Sequence, residues 1–376
     1  MPVILHRYNF PTEVWFGAGA RGLLPDKLKE AGVRRPLLVS DKGVSRQPFF
    51  DDIRRLCGAA AVYAEISGNP VESHARGALE AYDDGACDGI VAVGGGAAID
   101  VAKAVAVMTG HKGRLFSYAE GVPGQKPISG KVPPILALPT TAGTGSEVGR
   151  STVISEDDSH VKRIIFSPKL MPRAALLDPE LTLGLPGPVT AATGMDAVTH
   201  LIESYITAGD YNPLCDGVAL EGLRLAAKSL KRCVTHPGDV SARGDMMNAA
   251  LMGATAFQKG LGATHSCAHA LSTVTDMHHG LGNGIMIPTV MAFNRSVCRP
   301  RFKILEATVG ARDLVAWLRA LNKAVGIPAT LAAAGVKKEA LPKLVAAALA
   351  DPCHQLNPRP VRRKDFERLF AKAWAG

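Results

Sequence analysis

Short apolar runs bounded by turn residues alternate with amphipathic stretches through the first half of the chain. Runs at residues 14–16, 36–40, 89–93, 134–138 and 174–177 predict strands. LLV (37–39) and IVAV (90–93) are apolar at consecutive positions, the pattern of strands covered on both faces. Residues 20–31, 47–56, 72–84 and 97–108 carry helical spacing between the early runs. Such alternation predicts a mainly parallel, Rossmann-like α/β sheet with helices on both faces. The segments 151–154 and 161–166, flanking EDDSH, predict a hairpin excursion. Beyond Asp178-Pro179 the pattern changes: LTLGLPGPV (181–189) is a Gly/Pro-rich connection, and the remainder carries Ala, Leu and Met at helical spacing. Alanine-rich stretches at 248–257 and 340–350 have high helix propensity. The expectation is an α/β domain over residues 1–183 and an all-helical domain over 184–376.

Length agrees with two domains, since 376 residues exceed one typical core. A hydrophobic content of 47% with 20% charged residues describes a packed globular chain. The net charge of +9 is scattered, clustering only at Arg362, Arg363 and Lys364, and aromatics make up 5% of the chain. Nucleic-acid binding requires a focused basic face, so no nucleic-acid partner is expected. Seven cysteines form no C-x-x-C pair, and the odd count argues for a reducing cytoplasm over a disulfide framework. The start lacks the pattern of a secretory leader, and no apolar run reaches the ~20 residues needed to span a bilayer. A cytoplasmic protein with no membrane partner is expected. His6, His74, His111, His160 and His236 have no partner pattern and read as surface or loop histidines.

Candidate chemistry concentrates in three places. TGMDAVTH (193–200) sets Asp196 and His200 four residues apart, on one helical face. GATHSCAHALSTVTDMHHG (262–280) supplies His265, His269, His278 and His279. A carboxylate and several imidazoles drawn from two segments describe a divalent transition-metal site, suited to Fe2+ or Zn2+. Cys267 lies two residues from both His265 and His269, so it should face core. Glu203 is either a partner orienting an imidazole or an exposed helix carboxylate. The third place is VAVGGGAAIDVAKAVAV (91–107), a strand, a triple glycine and a helix. Glycines allow close approach of a pyrophosphate, and the helix start offers N–H groups to it. Asp41 follows a buried strand where a carboxylate can bind ribose hydroxyls, which favours NAD over NADP, although Lys42 is adjacent. LPTTAGTGSEV (138–148) adds a hydroxyl- and glycine-rich loop after another strand end.

VWFGAG (14–19), GNP (68–70), GGGAAID (94–100), PTTAGTGSEV (139–148), LDPELT (177–182), ATGMDAVTH (192–200) and the GLGATHSCAH…HHG block together resemble the iron-containing (group III) alcohol dehydrogenase family. The resemblance implies a Rossmann-like dinucleotide domain, a helical domain and a metal in the cleft between them. It makes Asp196, His200, His265 and His279 the metal ligands and sets His269 near substrate and proton relay. It puts Gly95, Gly96, Ala97 and Asp100 on the pyrophosphate loop, with Thr140, Thr141, Lys162 and Asn69 lining the cofactor. Two departures stand out. Ala97 and Ala98 occupy positions usually Ser and Pro, and His278 replaces a familiar proline, so that His279 is assigned by its place before Gly280. The implied activity is NAD(H)-dependent interconversion of a small alcohol with its aldehyde or ketone, by a homodimer whose early strand pairs across the two-fold. Within the same family, a keto-acid or semialdehyde reductase, like 4-hydroxybutyrate dehydrogenase or maleylacetate reductase, is the alternative; the positive charge and CHQLNPRP (353–360) suit an acidic substrate. Outside that activity stand a non-catalytic metal- and nucleotide-binding module and a hydro-lyase-like enzyme, both possible on one fold.

Overall fold

The computed structural model describes residues 12–376; His6 lies outside the described residues. The chain divides into two units after Gly184. One unit runs to Thr141 and resumes over Gly145–Gly184; the other is Leu185–Gly376 and takes in Ala142–Thr144.

The strands of the first unit are β1 (Glu13–Phe16), β2 (Pro36–Asp41), β3 (Ala61–Ile66), β4 (Gly89–Gly94), β5 (Ile135–Pro139), β6 (Ser151–Ser155), β7 (Lys162–Phe166) and β8 (Ala174–Leu177). Six of them form a parallel sheet in the order β1-β8-β5-β4-β2-β3, and β6 and β7 pair antiparallel as a separate hairpin. The helices are α1 (Leu24–Glu30), α2 (Pro48–Cys57), α3 (Glu72–Asp84) and α4 (Gly96–Gly110). Consecutive apolar residues in the central strands are needed because successive side chains enter different cores. Leu37, Val39, Ile90 and Ala92 pack with α3 and α4, while Leu38, Val91, Val93 and Leu136 pack with Leu24 and Ile53 of α1 and α2.

β3 is a strand that the hydrophobic pattern does not announce. It sits at the sheet edge, and five of its six residues are only partly buried or exposed. Its Ala and Glu positions are poor strand formers, so pairing with β2 rather than propensity creates it. The stretch 20–31 is not one helix. A 3-10 turn over Ala20–Leu23 precedes α1, whose start is fixed by Pro25 in its first turn.

The second unit is helical: α5 (Gly187–Ile206), α6 (Pro213–Thr235), α7 (Val240–Ala256), α8 (Ala263–Thr275), α9 (His279–Asn294), α10 (Arg299–Thr308), α11 (Leu314–Val325), α12 (Leu341–Ala350) and α13 (Arg363–Ala375). One core of Ala, Leu, Met and Ile side chains runs through it, with Cys267 fully buried there. Asp276 adopts a left-handed φ of 51° and separates α8 from α9. No helix among the described residues is long and apolar enough to cross a membrane. None of the seven cysteines is in a disulfide.

Candidate functional site

The helical unit brings α5, α8 and α9 together around one polar cluster. Asp196 and His200 project from the same face of α5, both buried. His265 comes from the first turn of α8, and His279 opens α9 just past the break at Asp276. The imidazole Nε2 atoms of His279, His265 and His200 lie 3.4, 3.9 and 4.0 Å from a single oxygen, Asp196 Oδ1. Ligands around a tetrahedral ion with bonds of about 2.1 Å are spaced about 3.4 Å apart, so the donor set suits a transition metal in type and spacing. Ligand atoms of Asp196, His265 and His279 lie within 4.8 Å of one another. His200 stands beside that triple with its ring stacked on His265 at 4.6 Å. Burial holds His200 down to about 4, so it is neutral and its lone pair available at pH 7. His278 is exposed at the N-cap of α9, and His279 is the member of the pair that faces Asp196.

Two neighbours complete this cluster. Glu203 is buried, not an exposed helix carboxylate. It accepts from His265 Nδ1 at 2.8 Å and from the backbone N–H groups of Gly262 and Thr264 at 2.9 and 2.7 Å. It thereby caps the open start of α8 and directs Nε2 of His265 toward Asp196. Burial, the largest single influence, would raise its pKa, but the His265 ring and the Thr264 hydrogen bonds together outweigh it and hold Glu203 below the usual carboxylate range. Asn283, one turn after His279, belongs to none of the sequence motifs. Its Nδ2 donates to Asp196 Oδ1 at 2.7 Å and lies 3.3 and 3.2 Å from Nε2 of His265 and His279. Its i+4 spacing from His279 is the signal in the sequence that points to it. His269, one turn beyond His265, is stacked on His279 at 5.1 Å, with its Nδ1 held 2.7 Å from Asp351 Oδ2.

In the α/β unit the sheet order sets four strand ends side by side. Thr140 and Thr141 follow β5, Gly95–Ala97 follow β4, Asp41 ends β2 and Asn69 follows β3. Strand order reverses at β2 and β4, where ligands bind in open parallel sheets. The turn is tight. A Cβ on Gly94 would meet Ala98 Cβ at 2.7 Å and Asp41 Oδ2 at 3.1 Å, and one on Gly95 would meet Thr141 at 3.2 Å. Gly95 is the N-cap of α4, so the first N–H groups of that helix open from the turn. Asp41 Oδ1 accepts from Gly43 and Val44 N–H at 2.9 Å, which fixes the carboxylate. Lys162 opens β7 opposite Ser155, whose N–H bonds Pro70 O, so the hairpin brings Lys162 toward Asn69.

Asp100 lies in the first turns of α4, after Gly96 and Ala97, and its buried carboxylate accepts from Val153 N–H at 3.0 Å. It fastens the hairpin to α4. Lys103, one turn on, is fully buried and donates to the carbonyls of Ser146, Gly149 and Ser151 at 2.7, 2.9 and 3.0 Å. Burial lowers Lys103 to about 8 and raises the neighbouring Glu147 to about 7. Arg359 of the CHQLNPRP segment is engaged as well, donating to Phe293 O at 3.1 Å and lying over the Phe293 ring. His111 is no loose surface residue: Nδ1 lies 2.8 Å from Val107 O, and Nε2 accepts from Gly130 N–H.

Comparison with known proteins matches both halves. Residues 11–179 match the iron-containing alcohol dehydrogenase model, and residues 190–374 match the C-terminal model of the Fe-containing alcohol dehydrogenase family. The chain belongs to the iron-containing alcohol dehydrogenase family and is an alcohol oxidoreductase. It is 39% identical to a 4-hydroxybutyrate dehydrogenase of Cupriavidus necator, over 96% of this chain and 98% of that one. Among solved structures, 1,3-propanediol oxidoreductase superposes with a TM-score of 0.93 at 32% identity, covering 99% of this chain and all of the other (100%). The sulfoacetaldehyde reductase of Bifidobacterium kashiwanohense, solved in complex with NAD+, gives 0.91 at 26% identity and covers 99% of this chain and 100% of that one.

Proposed function

We propose that this oxidoreductase is NAD(H)-dependent and holds a divalent cation, Fe2+ ahead of Zn2+, on Asp196, His200, His265 and His279, to interconvert a small alcohol with its aldehyde or ketone. The observation that carries the reading is the convergence of three Nε2 atoms on one carboxylate oxygen at 3.4–4.0 Å. When bound, the cation supplies Lewis-acid polarisation of the substrate oxygen and the nicotinamide supplies a hydride acceptor. The chain's own residues bind and orient. N–H groups at Gly96 and Ala97 hold the pyrophosphate behind the Gly95 turn, and Asp41 accepts from ribose hydroxyls. The Asp41 charge would repel a 2′-phosphate, which favours NAD over NADP. Asn69, Thr140, Thr141 and Lys162 line the cofactor. His269 accepts the hydroxyl proton at Nε2 and returns it to solvent, a task imidazole suits near neutral pH.

Elemental analysis of anaerobically purified protein, with NADH absorbance followed on simple alcohols, tests the whole reading. Asp196→Ala should release metal and abolish turnover. His269→Ala should keep metal near stoichiometric while turnover falls about 10²- to 10⁴-fold. A metal-free Asp196→Ala variant with full activity would refute the assignment.

A second reading is a dehydrogenase of ω-hydroxy acids, favoured by the 39% identity to a 4-hydroxybutyrate dehydrogenase. Comparing kcat/KM for carboxylated and neutral aldehydes of equal length separates the two. We also assign the protein to the cytoplasm, supported by seven cysteines without a disulfide. A homodimer is our third assignment. β1 is an edge strand with Val14, Trp15 and Phe16 exposed, and such an edge favours pairing with a second copy.

A further inference from the structure

Beside the ligand cluster lies a second hydrogen-bonded array whose residues come from α8 and the segment after α12. Asp351 caps the C-terminus of α12 and is largely buried. Its two oxygens are used differently. Oδ1 accepts from Ser266 Oγ at 2.6 Å and from Cys353 N–H at 2.9 Å. Ser266 is itself fixed, because its Oγ accepts from His354 N–H at 2.9 Å. Oδ2 is left to the His269 ring, 2.7 Å from Nδ1. An ionised carboxylate can only accept, so Nδ1 carries the ring proton and Nε2 carries the lone pair. Burial by itself would push the Asp351 carboxyl up, but His269, Ser266 and the Cys353 N–H hold it well below the ordinary range.

His269 also makes ring contacts, with His279 at 5.1 Å and His265 at 6.1 Å between centroids, and the Cys353 thiol, which burial keeps protonated, lies within 4.8 Å of the His269 and Asp351 polar atoms. Stacking limits tilt of the ring but cannot choose which nitrogen is protonated. Asp351 makes that choice.

We infer that Asp351, locked by Ser266 and the Cys353 backbone, is the positioning residue of His269, fixing its tautomer and rotation so that Nε2 faces the substrate hydroxyl as a proton acceptor. The inference rests on the relay role proposed above for His269. The proton leaves the substrate oxygen for Nε2, Nδ1–H stays with Asp351, and the imidazolium formed is stabilised by that carboxylate before Nε2–H releases its proton to solvent. Asp351 touches neither substrate nor cofactor in this scheme.

Asp351→Asn isolates the effect. An asparagine would keep Oδ1 accepting from Ser266 and Cys353, which turns its amide NH2 toward Nδ1. The ring must then present a lone pair at Nδ1 and carry its proton on Nε2, the wrong tautomer for accepting. For the metal-loaded enzyme, kcat for alcohol oxidation should fall about 10- to 100-fold. Metal content, KM for NAD and melting temperature should stay at wild-type values. Combining Asp351→Asn with His269→Ala should cost no more than His269→Ala alone, because residues acting as a unit are not additive. NMR of nitrogen-labelled histidine in Zn2+-loaded protein should show His269 protonated at Nδ1 in wild type and at Nε2 in the variant. Should Asp351→Asn lower the melting temperature, Ser266→Ala gives a second arm, with a smaller kcat loss that disappears in the His269→Ala background. If His269→Ala is impaired while Asp351→Asn keeps wild-type kcat, or the two losses multiply, the inference is overturned and the proposed function stands. If His269→Ala itself turns over at the wild-type rate, both fall together.

Discussion

Gly280 stands where any side chain would drive two helices apart. A Cβ there would meet Ala192 O at 2.2 Å and Asp196 Cβ at 3.1 Å. Both obstacles belong to the stiff part of α5, so the start of α9 would have to move, and His279 with it. Gly280→Ala is expected to destabilise the protein by about 1–3 kcal/mol, the usual cost of overpacking. It should also purify with less bound metal than wild type after equal exposure to a chelator. Full metal retention with an unchanged melting temperature would show that α9 is free to shift. At this scale the sequence is unequal in what it discloses. The i+4 spacing of Asp196 and His200 is enough, by helical geometry alone, to put both on one face. Glu203 and Asp351 cannot be read that way, because their imidazole partners lie 62 and 82 residues away in sequence. Which of His278 and His279 turns inward depends on the left-handed turn at Asp276, a conformation that residue tolerates but does not announce.

Among elements, α4, which follows the glycine turn, is anchored through charges that a hydrophobic pattern cannot show. VAKAVAV reads as an apolar helix face. Within it Lys103 is fully buried, tying α4 to the 146–151 loop through three carbonyls. Asp100 ties the same helix to β6, which is why its motif position is a poor guide to its contacts. Edge strand β3 is hidden for the opposite reason, since its residues have little to bury. Glu147, in the short 3-10 turn Ser146–Val148, makes the buried charges testable. Burial raises its folded pKa to about 7, above the unfolded value. Raised acids keep their proton in the folded state, so stability is lost as pH climbs from the unfolded pKa through 7, by on the order of 3 kcal/mol. Glu147→Gln removes that titration. The melting temperature of the variant relative to wild type should therefore rise between pH 5 and pH 8, values that bracket the folded pKa of about 7. A difference that stays constant over that interval would show that Glu147 does not titrate in the folded protein.

For the whole molecule, strand–helix alternation followed by helical spacing discloses the α/β unit and the helical unit, whereas the membership of Ala142–Thr144 in the latter is invisible in pattern. The three residues belong to a Thr/Gly loop with no periodicity, and only packing decides their side; a Cβ on Gly143 would meet Thr193 of α5 at 2.9 Å. The division has a thermodynamic consequence. All four proposed metal ligands lie in the helical unit, and the glycine turn with Asp41 lies in the α/β unit. A ligand that binds only folded protein stabilises it by RT ln(1 + [L]/Kd), about 2.7 kcal/mol at a hundredfold excess over Kd. Zn2+ and NAD+ added separately to chelated enzyme should each raise the melting temperature by several degrees. In Asp196→Ala the increment from Zn2+ should vanish, because the one oxygen facing three imidazoles is gone, while the increment from NAD+ should persist. Loss of both increments would mean that the α/β unit needs the cation for its own stability. An undiminished Zn2+ increment would mean that the cation is held by other side chains.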